Sequence, residues 1–434
     1  MLANKHCSKG NSFFLLGKYQ KAIKNYDVAI KCNPDCIEAY INKGMALKAL
    51  GQHQKAIETF DTTIRYKPDF SDAYYAKGIS LYELGQYQEA IKNYDTAIQY
   101  NPNDADYYIG KGIVLKELGQ HQEAIKNFDT AIRYNPNDAE AYYHKGISLD
   151  KLGQYQEAIK NYDQAIQYDS TNLGIYINRG VSLCELGHHQ EAIKNYDVAI
   201  KYKPDFVEAY VNKGASLKEL GRNQEAIENY DIAIKYKPDL IEAYVNKGIT
   251  LNELGHHQEA IKNYDIAIKY KPDLVEAYHA KGNALKNLGK LLEAIDNYDQ
   301  AIRYSTNYAG SYNNKGSALC ILEQYQEAIE NFDFAIKYQP DFPDAYYNKG
   351  AALCILEQYQ EAIENFDLAI KYQPDFSEAY YNKGIALNEL GRHQEAIESC
   401  NLAIKYDSDN VYAYQLANEL AQKIKKSNLR IITD

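Results

Sequence analysis

Apolar residues in this chain follow a helical spacing that is interrupted and resumed at regular intervals. Residues 207–240 contain two stretches with apolar side chains at i, i+3, i+4 and i+7, which places them on one face of an α-helix. Leu220 and Gly221 separate the stretches, and Pro238 closes the second. The apolar-face positions are Tyr210, Gly214, Leu217 and Leu220, then Ala226, Ile227, Tyr230, Ala233 and Ile234. The pattern predicts a helix hairpin.

The hairpin pattern recurs every 34 residues without an insertion or deletion, and it can be followed by one glycine per repeat from Gly10 to Gly384. A fixed period of this length is typical of stacked helical repeats. The twelve predicted repeats are 3–36, 37–70, 71–104, 105–138, 139–172, 173–206, 207–240, 241–274, 275–308, 309–342, 343–376 and 377–410.

Certain positions within the repeat keep one kind of residue. Counting Ile37 as position 1, position 8 is glycine and position 20 is alanine in all twelve repeats, position 27 is alanine in eleven, and position 24 is tyrosine or phenylalanine in all but the last. Small residues let two helices approach closely, and the aromatic rings fill the space beside them. A single hairpin leaves apolar area exposed, so neighbouring repeats must bury it. The chain is predicted to be one solenoid rather than several domains.

These features resemble the tetratricopeptide repeat (TPR) family, and the resemblance covers residues 3–410. It implies an all-α fold, a right-handed α-α superhelical solenoid of helix hairpins. It also implies a concave groove, lined by the first helix of each repeat, that binds peptides or partner proteins. Two positions depart from the family pattern. Position 4 is tyrosine instead of tryptophan in eleven repeats, and position 7, usually apolar, is lysine in eleven and Arg179 in the other.

The basic residue at position 7 needs a partner or access to water. Position 25 is aspartate in eleven repeats, which predicts a lysine–aspartate ladder between helices. The last repeat has Asn401 at position 25, and the helix after it has Ala417 at the equivalent of position 7. The aspartate and the basic residue are thus absent together, which favours pairs between one repeat's aspartate and the next repeat's lysine. Lys9 has no preceding aspartate, so pairing within a repeat stays open. A cationic stripe for acidic ligands is the functional alternative.

Turn and cap residues mark the helix ends. Glycine at position 15, present in ten repeats, suits the left-handed residue that ends the first helix. Aspartate or asparagine at position 33 with an acid three residues later, as in Asp205 and Glu208, resembles a capping box that starts the next helix. Residues 411–426 are predicted to form a capping helix, and 427–434 a flexible tail. The apolar run at 13–16 leaves self-association through the first repeat open.

By resemblance to the family, positions 2, 5, 6, 9, 12 and 13 of the first helix face the groove. Asparagine stands at position 6 in two blocks of three, and an amide both donates and accepts, so a row of them can hold a peptide main chain. Asparagine chosen for local structural reasons is the alternative. The predicted groove residues are Asn178, Asn212, Asn246, Asn314, Asn348 and Asn382 at position 6, and the apolar contacts Ile177, Val211, Val245, Tyr347 and Tyr381 at position 5.

The charge on the first helix favours a ligand that contains lysine or arginine. Position 2 is acidic in nine repeats, although the capping box would account for these acids. The family's carboxylate clamp requires lysine or arginine at positions 2, 5 and 6, and no repeat has one there. Acids at position 2 would also repel a terminal carboxylate, so this binding mode is excluded.

Composition limits the remaining possibilities. The chain has 434 residues and a net charge of −11, which argues against nucleic acid as a partner. Seven dispersed cysteines indicate reduced thiols, and no apolar stretch has the length of a signal peptide or membrane span, which predicts a cytoplasmic or nuclear protein without membrane association.

No catalytic group, metal site or cofactor motif is specified by the residues. Adjacent histidines at 188–189 and 256–257 are expected to be exposed turn residues instead of a metal pair. The chain is therefore predicted to be a noncatalytic scaffold that binds extended peptide segments. The alternative is a regulatory or targeting subunit, or a fragment, of a TPR-containing enzyme complex such as a glycosyltransferase.

Overall fold

A computed structural model describes residues 1–433, with side chains through Lys425, and all regular secondary structure in this part of the chain is α-helical. It forms two compact units, the N-terminal unit Met1–Leu220 and the C-terminal unit Gly221–Asp434. The helices of the N-terminal unit are α1 (Leu2–Leu15), α2 (Tyr19–Cys32), α3 (Ile37–Ala49), α4 (His53–Tyr66), α5 (Ser71–Glu83), α6 (Tyr87–Tyr100), α7 (Ala105–Glu117), α8 (His121–Tyr134), α9 (Ala139–Lys151), α10 (Tyr155–Tyr168), α11 (Leu173–Glu185), α12 (His189–Tyr202) and α13 (Val207–Glu219). Those of the C-terminal unit are α14 (Asn223–Tyr236), α15 (Ile241–Glu253), α16 (His257–Tyr270), α17 (Val275–Asn287), α18 (Leu291–Tyr304), α19 (Ala309–Ile321), α20 (Tyr325–Tyr338), α21 (Pro343–Ile355), α22 (Tyr359–Tyr372), α23 (Ser377–Glu389), α24 (His393–Tyr406) and α25 (Val411–Thr433).

The turn inside each hairpin has the backbone conformation that its glycine predicts. The ten glycines at position 15 have φ between +68° at Gly17 and +80° at Gly255, so the left-handed residue after the first helix is confirmed. Glu323 and Glu357 occupy the same position in the tenth and eleventh repeats with φ of 60° and 61°. These two glutamates carry a side chain where the other repeats have none, and this strains the backbone.

The predicted capping box at position 33 is wrong. The second to twelfth hairpins begin at position 1, so position 34 is the N-cap, and in most repeats it is apolar or aromatic, as in Phe70 and Phe206. A side-chain cap forms where position 34 itself is polar, at Asp104, Asp138 and Asn172. Proline and the following residue form a turn outside the helix, which moves the start one residue further along. The acids at position 2 therefore have no capping role that accounts for them.

The core of each hairpin is built on a glycine packed against an aromatic ring. A Cβ added to Gly78 would lie 2.7 Å from Cε1 of Tyr94, which is far inside van der Waals contact. The alanines at positions 20 and 27 are fully buried beside this contact. In the last repeat Cys400 replaces the ring and lies against Gly384. Glycine at position 8 is thus required by the ring at position 24.

Tyrosine at position 4, where the family pattern has tryptophan, joins neighbouring repeats through its hydroxyl. The Tyr74 hydroxyl donates to the carbonyl oxygen of Pro68 in the preceding repeat at 3.0 Å. Its ring stacks on Tyr100 with the centroids 5.7 Å apart. The sequence pattern did not identify the exposed tyrosine at position 30 as the stacking partner.

The predicted charge ladder is confirmed, with the direction that the last repeat indicated. The aspartate at position 25 of one repeat binds the basic residue at position 7 of the next in all eleven cases, with N–O distances from 2.5 to 2.7 Å. Both groups are partly exposed, so each pair contributes about 0.2–1 kcal/mol. Lys9 is exposed. The ladder accounts for lysine at position 7 without a ligand.

The last helix, α25, packs against α24 through Ala413, which lies in a cluster with Cys400. It continues to Thr433, beyond residue 426 where the sequence predicted its end, because neither glycine nor proline interrupts it. The side chains from 426 onward and all of residue 434 lie outside the described residues. The predicted flexible tail at 427–434 therefore stays a prediction.

The apolar run at 13–16 is divided between the interior and the surface. Phe13 and Phe14 pack against the core cluster of the first repeat, which includes Tyr26, whereas Leu15 and Leu16 are exposed. The predicted self-association would rest on these two leucines, and it stays a prediction.

Candidate peptide-binding face

Three cavities open along the first helices of the N-terminal unit, on the face formed by positions 2, 5, 6, 9, 12 and 13, here called the first-helix face. The first has a volume of about 320 Å³, the second about 250 Å³ and the third about 170 Å³. The first is lined by Tyr75, Ile79, Tyr82, Glu83, Tyr94, Asp106, Ile109, Gly110, Ile113 and Glu140. The second is lined by Ile147, Asp150, Lys151, Tyr155, Tyr162, Asn178, Val181 and Glu185, and the third by Val181, Cys184, His189, Tyr196, Asn212, Ala215, Ser216 and Glu219.

These cavities lie between successive first helices, and side chains at position 9 form part of their walls. A further cavity of about 460 Å³ lies between α2, α3 and α4, next to the ladder pair of Asp27 and Lys43. It is lined by positions 7, 11 and 14 of α3 and so lies on a different face. The first-helix face is therefore the one that offers a row of adjoining cavities.

The asparagines at position 6 fall into two groups. Of the six predicted groove asparagines, four donate hydrogen bonds from their side-chain amides to the preceding repeat, as Asn42 also does to Asn11. These bonds are Asn178 to the Tyr143 hydroxyl at 3.2 Å, Asn314 to Asn283 Oδ1 at 2.8 Å, Asn348 to Asn313 Oδ1 at 3.0 Å and Asn382 to the Tyr347 hydroxyl at 2.9 Å. Asn212 and Asn246 are half-buried, and among the described residues no hydrogen bond from their side-chain amides is found. The row of asparagines predicted from sequence is therefore not uniform, because some amides are bonded within the protein and others are not.

Position 5 differs from the expectation that it offers apolar contacts to a ligand. Ile177 and Val211 are only 2% and 3% exposed. Ile177 packs in a core cluster with residues of α10, α11, α12 and α13, because the following helices cover a short aliphatic side chain at this position. Val245 is half-buried, and Tyr347 packs on Phe376 with ring centroids 4.9 Å apart.

Tyr381 at the same position packs on Tyr412 of α25, with ring centroids 6.3 Å apart. The apolar surface around Asn212 comes instead from Val181 and Ala215 at position 9 and from Tyr196 at position 24. A ligand in the third cavity would therefore contact position 9 and not position 5.

The first cavity is acidic. Burial raises the pKa of Asp106, and the carboxylates of Asp104, Asp138 and Glu140 raise it further. The neighbouring His144 lowers the pKa of Glu140, whose Oε1 is 3.6 Å from Nε2 of that histidine. Carboxylates crowded in this way favour any cation that can come between them.

The second cavity contains a carboxylate with two hydroxyl partners. Asp150 accepts hydrogen bonds from Tyr162 at 2.5 Å and from Ser182 at 2.6 Å. Burial raises the pKa of Asp150, although both bonds favour its charged form. Sequence reasoning missed Asp150, and also Tyr75, Tyr82 and Gly110 in the first cavity. Gly110 could have been noticed as a glycine at a position that is mostly asparagine.

A chain of stacked helix hairpins, with a row of cavities on its first helices, defines a helical-repeat protein of the kind that binds other proteins. A family model described as TPR repeat matches residues 10–51, 78–119, 182–221, 214–255, 248–289 and 316–354, more than half of the chain. Two models described as tetratricopeptide repeat match 109–172 and 356–411, and 37–70 and 275–308. The chain belongs to the tetratricopeptide repeat family, whose repeats are typical of protein–protein interaction scaffolds.

Solved structures with helical-repeat folds also match. The APC/C hetero-tetramer Cut9-Hcn1 has 13% identity and a TM-score of 0.49, with 95% of each chain covered. Yeast Tom70 has 17% identity and a TM-score of 0.49, covering 98% of this chain and 96% of that one. YrrB, described as a TPR protein with an unusual peptide-binding site, has 26% identity and a TM-score of 0.38, covering 43% of this chain and 97% of that one. The family assignment rests on the repeat models and not on these structures.

None of the curated proteins matches the sequence significantly. Among the described residues, no helix is both long and apolar enough to cross a membrane.

Proposed function

We propose that this protein is a noncatalytic scaffold whose first-helix face, within the N-terminal unit, binds an extended peptide segment of another protein. The observation that carries the proposal is the unpartnered amide of Asn212 at the edge of the third cavity. An amide without an internal partner can donate to and accept from a peptide main chain without first breaking a bond. A main-chain contact of this kind would not require a particular ligand side chain.

The third cavity beside Asn212 supports the same proposal. Its volume of about 170 Å³ and its walls of Val181, Ala215 and Tyr196 suit a small apolar side chain. A peptide held by its main chain at Asn212 would place alternate side chains toward the helices. The second and first cavities continue along the same face, so several side chains of one extended segment could be accommodated in turn.

The test uses peptides selected from a random twelve-residue display library on the full chain, with affinity measured by fluorescence polarisation. We expect Asn212→Ala to weaken binding about fivefold to tenfold, which corresponds to about 1–1.4 kcal/mol for one main-chain hydrogen bond. Ala215→Leu, which fills the third cavity, should reduce binding at least as much. Ala351→Leu makes the same change at position 9 of another repeat and serves as the matched control.

Unchanged affinity in both Asn212→Ala and Ala215→Leu would contradict the proposal, since peptides selected on the chain would then bind elsewhere. Circular dichroism of each variant ensures that a loss of binding does not come from unfolding. A loss in Ala351→Leu equal to that in Ala215→Leu would also count against the assigned face.

A further inference from the structure

The first cavity of the N-terminal unit differs from its neighbours in having aromatic walls. The rings of Tyr75, Tyr82 and Tyr94 line it, with the Tyr75 and Tyr94 centroids 5.9 Å apart. Ile79 and Ile113 complete the apolar surface. Tyrosine ring faces carry partial negative charge and attract cations within about 6 Å. An apolar side chain could fill this space, but it would make no use of the exposed acids at the rim.

The rim of the same cavity carries three carboxylates, from Glu83 at the end of α5, Asp106 at the start of α7 and Glu140 at the start of α9. None of the residues that line the cavity is basic. Asp106 and Glu140 are acids at position 2, and they do not belong to a capping box, since the helices are capped at position 34. Their charge is available to a ligand.

Basic groups close to this rim lie outside the cavity lining. Lys116 Nζ lies 3.1 Å from Glu117 Oε1 and 3.5 Å from His144 Nδ1. His144 Nε2 lies 3.6 Å from Glu140 Oε1, and burial lowers the pKa of Lys48 although the nearby Glu83 raises it. Asp106 has only acids among the charged groups that shift its pKa. The negative potential is therefore centred on Asp106.

Gly110 provides the room that the cavity needs. It stands at position 6, where most other repeats have asparagine. A Cβ at Gly110 would lie 2.9 Å from Cε1 of Tyr94 and 3.3 Å from Cε2 of Tyr75. A larger residue would occupy the space between the rings. The resulting volume of about 320 Å³ is at the lower end of the roughly 300–1,000 Å³ typical of ligand pockets.

We propose that this cavity binds one cationic side chain, that of arginine or lysine, on the partner segment. The inference rests on the proposed peptide-binding function and adds a specificity that the asparagine row lacks. The cation packs against the faces of the tyrosine rings, and the carboxylates of Asp106 and Glu140 compensate its charge. A divalent metal ion is a poorer fit, since the rings and isoleucines offer few of the oxygen ligands that Ca²⁺ and Mg²⁺ take.

The test measures binding of single-residue probes to the full chain by calorimetry and by NMR. The probes are Nα-acetyl-arginine methylamide and Nα-acetyl-lysine methylamide, with the citrulline and norleucine compounds as neutral controls of similar shape. We expect saturable binding of the cationic probes, at least tenfold weaker binding of the neutral ones, and weakening as the salt concentration rises. Equal binding of citrulline and arginine compounds would overturn the inference, and so would absence of arginine and lysine binding.

Two variants locate the binding. Asp106→Asn/Glu140→Gln removes charge from the rim and should weaken arginine binding at least fivefold. Glu242→Gln/Glu276→Gln makes comparable changes at position 2 of two consecutive repeats in the C-terminal unit and should have no effect. Equal affinities in the two double variants would contradict the assignment. Gly110→Asn should also abolish binding by filling the cavity, and if it does not fold, the charge variants still decide the question.

The outcome separates this inference from the function on which it rests. Each probe is a single residue and does not need the main-chain contacts expected at Asn212. If selected peptides bind as proposed but arginine and lysine probes do not, the cation pocket is wrong and the peptide-binding function stands. If the probes bind at Asp106 but peptide binding is insensitive to Asn212 and Ala215, the pocket stands and the proposed path of the peptide is wrong. Titration with CaCl₂ or MgCl₂ that displaced the arginine probe at Asp106 stoichiometrically would overturn the inference in favour of a metal site.

Discussion

Asn212 and Asn246 occupy the same repeat position as Asn348 and Asn382, yet only the second pair has bonded amides. Asn348 donates to Asn313, and Asn382 donates to Tyr347, each partner standing 35 residues earlier at position 5 of the preceding repeat. The residues 35 positions before Asn212 and Asn246 are Ile177 and Val211, which have no polar group to offer. One residue type at one position therefore stabilises the array in one region and is left available in the other.

The comparison shows that polar groups at positions 5 and 9 of the preceding repeat decide the role of the asparagine, since Asn314 donates to Asn283 at position 9. Tyr143 precedes Asn178 by the same 35 residues and accepts its bond, in agreement with this rule. The structural alternative considered for the asparagine row thus holds for the bonded members. The proposed binding role applies to the two whose predecessors are aliphatic.

The largest expected effect follows from removing both bonded amides. Asn348→Ala/Asn382→Ala should lower the free energy of unfolding by about 1–3 kcal/mol, since two hydrogen bonds between repeats contribute about 0.5–1.5 kcal/mol each. Asn212→Ala/Asn246→Ala should change it by less than about 0.5 kcal/mol. Urea denaturation followed by circular dichroism measures both. Equal losses in the two double variants would remove the distinction on which the proposed binding role depends.

A smaller effect is expected from changing the acceptor. Tyr347→Phe keeps the ring packing on Phe376 and removes the hydroxyl that Asn382 bonds to, so stability should fall by about 1 kcal/mol. In a double-mutant cycle with Asn382→Ala, the two losses should not add, and the coupling should be about 0.5–1.5 kcal/mol. Additive losses would mean that the bond contributes nothing to stability.

The repeats around the bonded pair also contain the strained turns at Glu323 and Glu357. Replacing either with glycine should stabilise the chain by about 0.5–1 kcal/mol, because the relief of left-handed strain exceeds the extra freedom of glycine in the unfolded state. Glu330→Gly, inside α20, should instead destabilise by about 1 kcal/mol. Thermal and urea unfolding of the three variants would test the difference, and destabilisation by all three would contradict the strain assigned to these turns.

The smallest effect concerns the position-2 acids and depends on pH. The pKa of Asp106 is raised above its ordinary value of 3.8, so the folded state resists its ionisation, and stability is lost as pH rises through the folded pKa. Asp106→Asn should therefore be slightly more stable than the parent at pH 7, with the gain disappearing below about pH 4. Unfolding curves at pH 4 and 7 measure this, with Glu242→Gln as the control. A gain that persists at low pH would point to a cause other than charge.

Much of the fold could be predicted from sequence because the same pattern of small, aromatic and charged residues occurs in twelve repeats. The period predicted the hairpins, glycine at position 15 predicted the left-handed turn, and the joint loss of Asp and Lys at the end of the array predicted the direction of the ladder. The error at position 33 shows the limit of this reasoning. The aspartate or asparagine at position 33 could cap a helix in principle. It lies one residue before the actual N-cap, because the proline turn moves the helix start to the next repeat's position 1.

The candidate site was predicted only in part, because its properties depend on pairs of residues from different repeats. The face was identified through the family resemblance, and Asn212 was among the residues named. The bonded state of Asn178, the burial of Ile177 and the cavity beside Gly110 each depend on what the next helix brings against that residue. No single-repeat pattern contains that information.

The sequence by itself determined the period, the helix hairpins, the small and aromatic core positions and the charge partners, since each follows from local spacing repeated at a fixed interval. Tertiary structure decided which asparagine amides are bonded, which aliphatic residues are buried and where acids surround an aromatic cavity. These outcomes depend on atoms within a few ångströms of one another across consecutive helices, and small differences between repeats change them without disturbing the fold.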